Sequence, residues 1–101
     1  MSSWDKAEMI DSFYEAILKL NDKKECDAFF LDVCTAKEIC EISQRLEVAK
    51  LLRAGANYNT ICKETGASTA TISRVSKCLE NGQGYKLILN RIYDDRDENM
   101  E

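Results

Sequence analysis

Apolar residues recur at helical spacing from near the start of the chain. Met9, Ile10, Phe13, Ala16, Ile17 and Leu20 fall on one stripe and predict a helix from about Asp5 to Leu20. Tyr14 and Leu18 widen that stripe to nearly two faces. Asn21-Asp22 breaks the pattern and can cap a second helix, Lys23 to about Val33, with Cys26, Phe29, Phe30 and Val33 as its buried side. Thr35-Ala36-Lys37-Glu38 has the capping-box spacing, in which hydroxyl and carboxylate each satisfy a free backbone N–H of a helix start. A long third helix follows to about Ala54. Ile39, Ile42, Leu46, Ala49 and Leu52 mark one face of it, and Val48 and Leu51 a second. Gly55 ends it in the left-handed conformation that a residue without a Cβ adopts cheaply.

Asn57 can cap a short fourth helix, Tyr58 to Thr65. Gly66-Ala67 reads as a tight turn, and Ser68 caps a fifth helix, Thr69 to about Leu79. Asn81-Gly82-Gln83-Gly84 is expected to be a loop. Tyr85, Ile88, Leu89 and Ile92 then make a short sixth helix before an acidic tail, Asp94 to Glu101, expected to fray. The chain therefore predicts an all-α fold of six helices.

Composition narrows what such a fold does. A length of 101 residues suits one domain. There is no histidine, which excludes imidazole catalysis and histidine metal sites. The pattern glycine-any-glycine occurs once, at Gly82 and Gly84, and without the third glycine of a phosphate loop. The carboxylates sit in charged runs that read as solvated surface, so no enzyme is expected. The cysteines, Cys26, Cys34, Cys40, Cys62 and Cys78, lack metal or redox spacing and are expected to be reduced, mostly as small core residues. No apolar run spans a bilayer, and the first residues lack the pattern of a signal peptide, which together predict a cytoplasmic address. Trp4 is expected to pack against a partner subunit or to be disordered.

Net charge is −4, which taken whole argues against a polyanionic partner. Between Lys37 and Lys86, however, eight basic residues face five acidic ones, while the two ends carry a net −7. The middle of the chain can face nucleic acid.

That middle contains the informative stretch, Tyr58 to Leu79. Two helices joined by a turn containing glycine form a helix-turn-helix. Ile61 and the small Cys62 suit a close helix crossing, Gly66 suits a positive φ, and Ile72, Val75 and Leu79 face back to the core. The opposite face carries Thr69, Ala70, Ser73, Arg74 and Lys77. Short side chains permit close approach to a major groove, hydroxyls can donate to base edges, and the cations can take phosphate or guanine. Tyr58 and Asn59 open the first helix of the pair, where they can touch phosphate or base or be a simple exposed cap. A generic helix surface would carry Glu–Lys pairs. Here Ser68 to Ile72 holds no charge and three hydroxyls, a run poor for helix stability. The competing reading is a protein-interaction module or co-regulator that keeps the hairpin without reading DNA. Arg45, on the third helix, is expected to pair with Glu41 or Glu38.

Gln44-Arg45-Leu46-Glu47-Val48-Ala49-Lys50-Leu51-Leu52, followed by Thr65-Gly66-Ala67-Ser68-Thr69-Ala70-Thr71-Ile72-Ser73-Arg74-Val75, resembles the Trp-repressor-like superfamily, and most closely its YerC/YecD branch. The resemblance covers about Phe13 to Tyr93. It implies an intertwined homodimer with one helix-turn-helix per subunit, acting on double-stranded DNA. It also implies that Ala70 to Arg74 begins the DNA-reading helix, and that Thr71 and Arg74 line a tryptophan pocket. Two positions depart from that family pattern. Val75 stands where the pocket has a glycine against which the indole lies, and Gln44 stands where it has a second arginine. Arg45 is adjacent, but one residue turns a side chain by about 100° around a helix. Tryptophan is therefore not expected as a co-repressor. Thr71, Arg74 and Gln44 remain a candidate lining for a smaller polar ligand. Two recognition helices about one DNA turn apart, ~34 Å, would suit a palindromic operator.

Overall fold

The computed structural model describes residues 5–100, with side chains for 5–94; Trp4 lies outside them. Among the described residues six helices follow one another: α1 (Lys6–Ile17), α2 (Lys23–Val33), α3 (Ala36–Arg53), α4 (Tyr58–Thr65), α5 (Thr69–Asn81) and α6 (Gly84–Met100). No strand occurs among the described residues. The chain divides into two compact units, residues 1–39 and 40–101.

In the first unit the helix starts are fixed locally. Asp5 accepts from the Ala7 N–H at 3.1 Å and opens α1. The helix stops at Ile17, three residues before the sequence pattern ends, because Lys19 and Leu20 donate to carbonyls three residues back and tighten the last turn. Asp22 accepts from the Glu25 N–H at 2.9 Å, and the Glu25 carboxylate accepts from the Asn21 N–H at 2.8 Å. Phe13, Phe29 and Phe30 form an aromatic cluster, with Phe29 and Phe30 edge to face at 5.5 Å. Neither α1 nor α2 contains a buried residue. The expected buried side of α2 is only partly so: Phe29 and Phe30 are half-buried, but Cys26 and Val33 are exposed. On α1, Met9 is 45% exposed, Ile10 51%, and Leu18, just beyond its end, 82%.

Thr35 and Glu38 form the expected box at the start of α3. The Thr35 N–H donates to the Glu38 carboxylate at 2.8 Å, and the Glu38 N–H donates to the Thr35 hydroxyl at 3.1 Å. Hydrogen bonding to the carboxylate from the Thr35 backbone N–H, and then from the Thr35 hydroxyl, holds the Glu38 carboxyl below its usual range.

The second unit holds the core. Val48 and Ala49 of α3, Ile61 of α4, Ala67 of the turn, Ile72 and Val75 of α5 and Leu89 of α6 are buried together. Gly55 (φ +88°) ends α3 as expected; its N–H bonds the Leu52 carbonyl and the Ala56 N–H bonds the Leu51 carbonyl. Arg53 donates to Asn90 Oδ1 at 2.8 Å and lies over the Tyr93 ring at 4.8 Å, fastening α3 to α6. α5 runs two residues longer than its apolar pattern, which reduces the expected loop to Gly82 and Gln83. α6 continues past Ile92 into the acidic stretch, where no glycine or proline breaks it. All five cysteines are free, but Cys26, Cys40 and Cys78 are exposed rather than in the core. No helix among the described residues is long and apolar enough to cross a membrane.

Candidate nucleic-acid interface

The helix-turn-helix is built by local chemistry at four points. Asn57 Oδ1 accepts from the Thr60 N–H at 2.9 Å and opens α4. Gly66, at φ +75° and ψ 4°, closes it, and its N–H donates to the Cys62 carbonyl at 2.9 Å. Thr65 knits the turn, donating its hydroxyl to the Ile61 carbonyl at 2.7 Å while accepting from the Ala67 N–H at 3.1 Å. Ser68 Oγ then accepts from the Thr71 N–H at 3.2 Å and starts α5.

Burial separates the two faces of α5. Ile72 is fully buried and Val75 is 1% exposed, while Leu79 packs half-buried against the same core. Thr69, Ala70, Arg74 and Lys77 are exposed and Ser73 is half-buried. Arg74 and Lys77 form no ion pair among the described residues, so their charge is available to a partner. Tyr58 and Asn59 are exposed on the first turn of α4. One unit thus presents short polar side chains, two unpaired cations and the start of α4 to solvent.

The candidate ligand-pocket residues are arranged differently from the sequence expectation. Gln44 Nε2 donates to the Thr65 carbonyl at 3.0 Å, a part-buried bond between α3 and the end of α4. Ser43, Gln44, Glu47, Leu51, Glu64 and Thr65 line an open depression of about 330 Å³; neither Thr71 nor Arg74 lines it. Thr71 is half-buried, with its hydroxyl 3.1 Å from Ser68 Oγ, and Arg74 points to solvent. The depression carries carboxylates, Glu47 and Glu64, instead of cations, which suits an acidic ligand poorly. No group of three metal-ligating side chains occurs among the described residues.

Arg45 does not form the expected ion pair. Glu38 is engaged by Thr35, and Arg45 instead lines an open apolar groove with Ile42, Leu46, Cys78, Tyr85 and Ile88. Two features of the site escaped the sequence pattern. Ala67, assigned only to the turn, is a core residue at 4% exposure. The Gln44 bond joins residues 21 apart, beyond the reach of any local motif.

The family model for Trp repressor protein matches residues 8–93. YerC of Bacillus subtilis (strain 168), an uncharacterised protein, is 49% identical over 90 residues, which are 88% of this chain and 86% of YerC. A TrpR-like protein of solved structure from Eubacterium eligens ATCC 27750 is similar at a TM-score of 0.84 and 48% identity, covering 86% of this chain and 91% of that one. A solved structure from Staphylococcus aureus is similar at a TM-score of 0.81 and 45% identity, covering 90% of this chain and 96% of that one.

Proposed function

The chain belongs to the Trp repressor family, and on that premise we propose that it is a sequence-specific DNA-binding regulator that acts as a repressor. The observation that carries this reading is the division of α5. Buried Ile72 and Val75 hold one side of the helix, and the other offers Thr69, Ala70, Arg74 and Lys77 to solvent with their polar groups uncommitted to any ion pair. Thr69, Ala70 and Ser73 read base edges, Arg74 and Lys77 take phosphate or guanine, and Tyr58 and Asn59 contact the backbone. Selection from random duplexes at moderate salt tests it; enrichment of a shared, two-fold-symmetric sequence is expected. A selection that enriches nothing overturns it in favour of a protein-interaction role.

The regulator is a homodimer. α1 and α2 bury no residue within the chain and expose Met9, Ile10, Tyr14, Leu31 and Val33, an apolar surface that a second copy covers. Two copies of α5 then meet half-sites ~34 Å apart. Sedimentation at micromolar concentration should give a dimer; a stable folded monomer would sink this part. Tryptophan is not the effector. Val75 is a buried core side chain, and Gln44 already donates to Thr65. Calorimetry with millimolar L-tryptophan should give no specific heat, and binding that tightens DNA affinity would refute the point.

A further inference from the structure

Within the DNA-reading role proposed above, on which this inference rests, we infer that Gln44 is a positioning residue that sets the angle of the recognition helix. The helix-turn-helix rests on α3 through Val48, Ala49, Ile61 and Ile72, all fully buried. Apolar contacts of this kind hold a helix close but are non-directional, so they resist separation better than rocking. A hydrogen bond has a preferred line and fixes direction. Gln44 supplies one at the turn itself. Its Nε2 donates to the Thr65 carbonyl at 3.0 Å. That carbonyl is among the last four of α4, which have no partner inside the helix. The same amide nitrogen lies 3.9 Å from where a Cβ on Gly66 would stand, so the side chain sits directly over the turn.

The turn passes this constraint on to α5. Thr65 also accepts from the Ala67 N–H, Ala67 is buried, and Ser68 then caps α5. A shift of the Thr65 peptide therefore moves the start of α5, where Thr69 and Ala70 lie, more than it moves Arg74 or Lys77 one and two turns on. Loss of the tie should accordingly cost base discrimination at the positions facing Thr69 and Ala70, and leave phosphate attraction nearly intact.

The test compares the full-length wild type with Gln44→Met and Gln44→Glu. Met keeps the length and helix propensity without the donor; Glu puts a carboxylate against the carbonyl. Affinity is measured for the selected site and for a scrambled duplex at one salt concentration, beside thermal melting and hydrogen exchange of amides 66–70. Gln44→Met should lose about three- to tenfold in affinity for the selected site and nothing for the scrambled one, with faster exchange at 66–70 and a cooperative melting transition lowered by no more than a few degrees. Gln44→Glu should lose more at neutral pH. Full specific affinity in both variants would overturn the inference, as would equal loss on both duplexes in step with lost folding. Should Gln44→Met not fold, Gln44→Glu decides alone by the same criteria. A wild type that enriches no duplex fails separately, at the selection step, and removes the DNA-reading role together with this inference.

Discussion

Lys77→Ala removes one exposed cation from the outer face of α5 and leaves its buried face untouched. Arg74 lies one turn before it on the same face, and neither is held by an acidic neighbour among the described residues. If both sit at phosphates, a two-fold dimer neutralises four through these positions. Each phosphate contributes about 0.9 to the slope of log affinity against log salt, so the four together give about 3.6. A fourfold rise in salt, from about 50 to 200 mM, should then weaken the wild type about 150-fold through these contacts alone. Either single substitution removes two contacts, lowers the slope by about 1.8 and leaves a weakening of about 12-fold. The double variant should retain no salt dependence from this face. Fluorescence anisotropy with the selected duplex at four salt concentrations reads these slopes directly. Thr69→Ala should leave the slope alone and change base preference by about 1–3 kcal/mol instead. Unchanged slopes in both cation variants would refute the orientation of α5 against the DNA backbone.

Ile72→Ala empties a fully buried site at the crossing of α5 with the core and should cost about 2–4 kcal/mol in urea unfolding; a loss under 1 kcal/mol would mean the helix-turn-helix is not seated on this core. Gly66→Ala should cost about 1–2 kcal/mol, all of it from the backbone at φ +75°, because the added Cβ would meet only Gln44 Nε2 at an ordinary contact distance; Gly66→Asn should cost less. Glu38 has a carboxyl lowered from 4.5, so its contribution is complete above that value and is lost as pH falls through the lowered one; Glu38→Gln should flatten that part of the acid-unfolding curve, and an unaltered curve would argue against the box.

How much of the molecule could be read from its sequence depends on how far apart the interacting residues lie. Caps involve residues two to four apart, so Thr35 with Glu38, Asn57 with Thr60, Ser68 with Thr71, and the glycines at 55 and 66 were all visible in the spacing. The Asn21–Glu25 bond had the same kind of signal, in Asp22 followed three residues later by Glu25. Buried Ile72 and Val75 were visible because periodicity on a helix with one solvent face has a single solution. Gln44 was legible as a polar residue at an interesting place, but not as the donor to Thr65, since no pattern in either segment encodes that pairing. Arg45 shows the reverse error. Glu41 lies four residues before Arg45, the right spacing for an ion pair, yet the two do not pair; Glu38, seven residues before it, is claimed by the Thr35 N–H at the cap.

Periodicity also states that a face needs burial without stating against what. In residues 40–101 that demand is largely met within the chain, where seven side chains close a core, although Ile42 and Ile88 stay exposed. In residues 1–39 it is not: Met9, Ile10 and Val33 stay about half exposed although they fall on the faces that spacing marks for burial. The homodimer proposed here resolves the difference, because the second chain supplies the missing surface. It also makes the stability of α1 and α2 a determinant of DNA affinity, although neither helix touches DNA in this reading. A regulator whose two readers are joined through these helices loses half of its phosphate contacts when the subunits part. Substitutions on the exposed apolar face of α1 should therefore act on DNA binding through protein concentration. Their effect should shrink as the chain is concentrated, whereas that of Arg74→Ala should not.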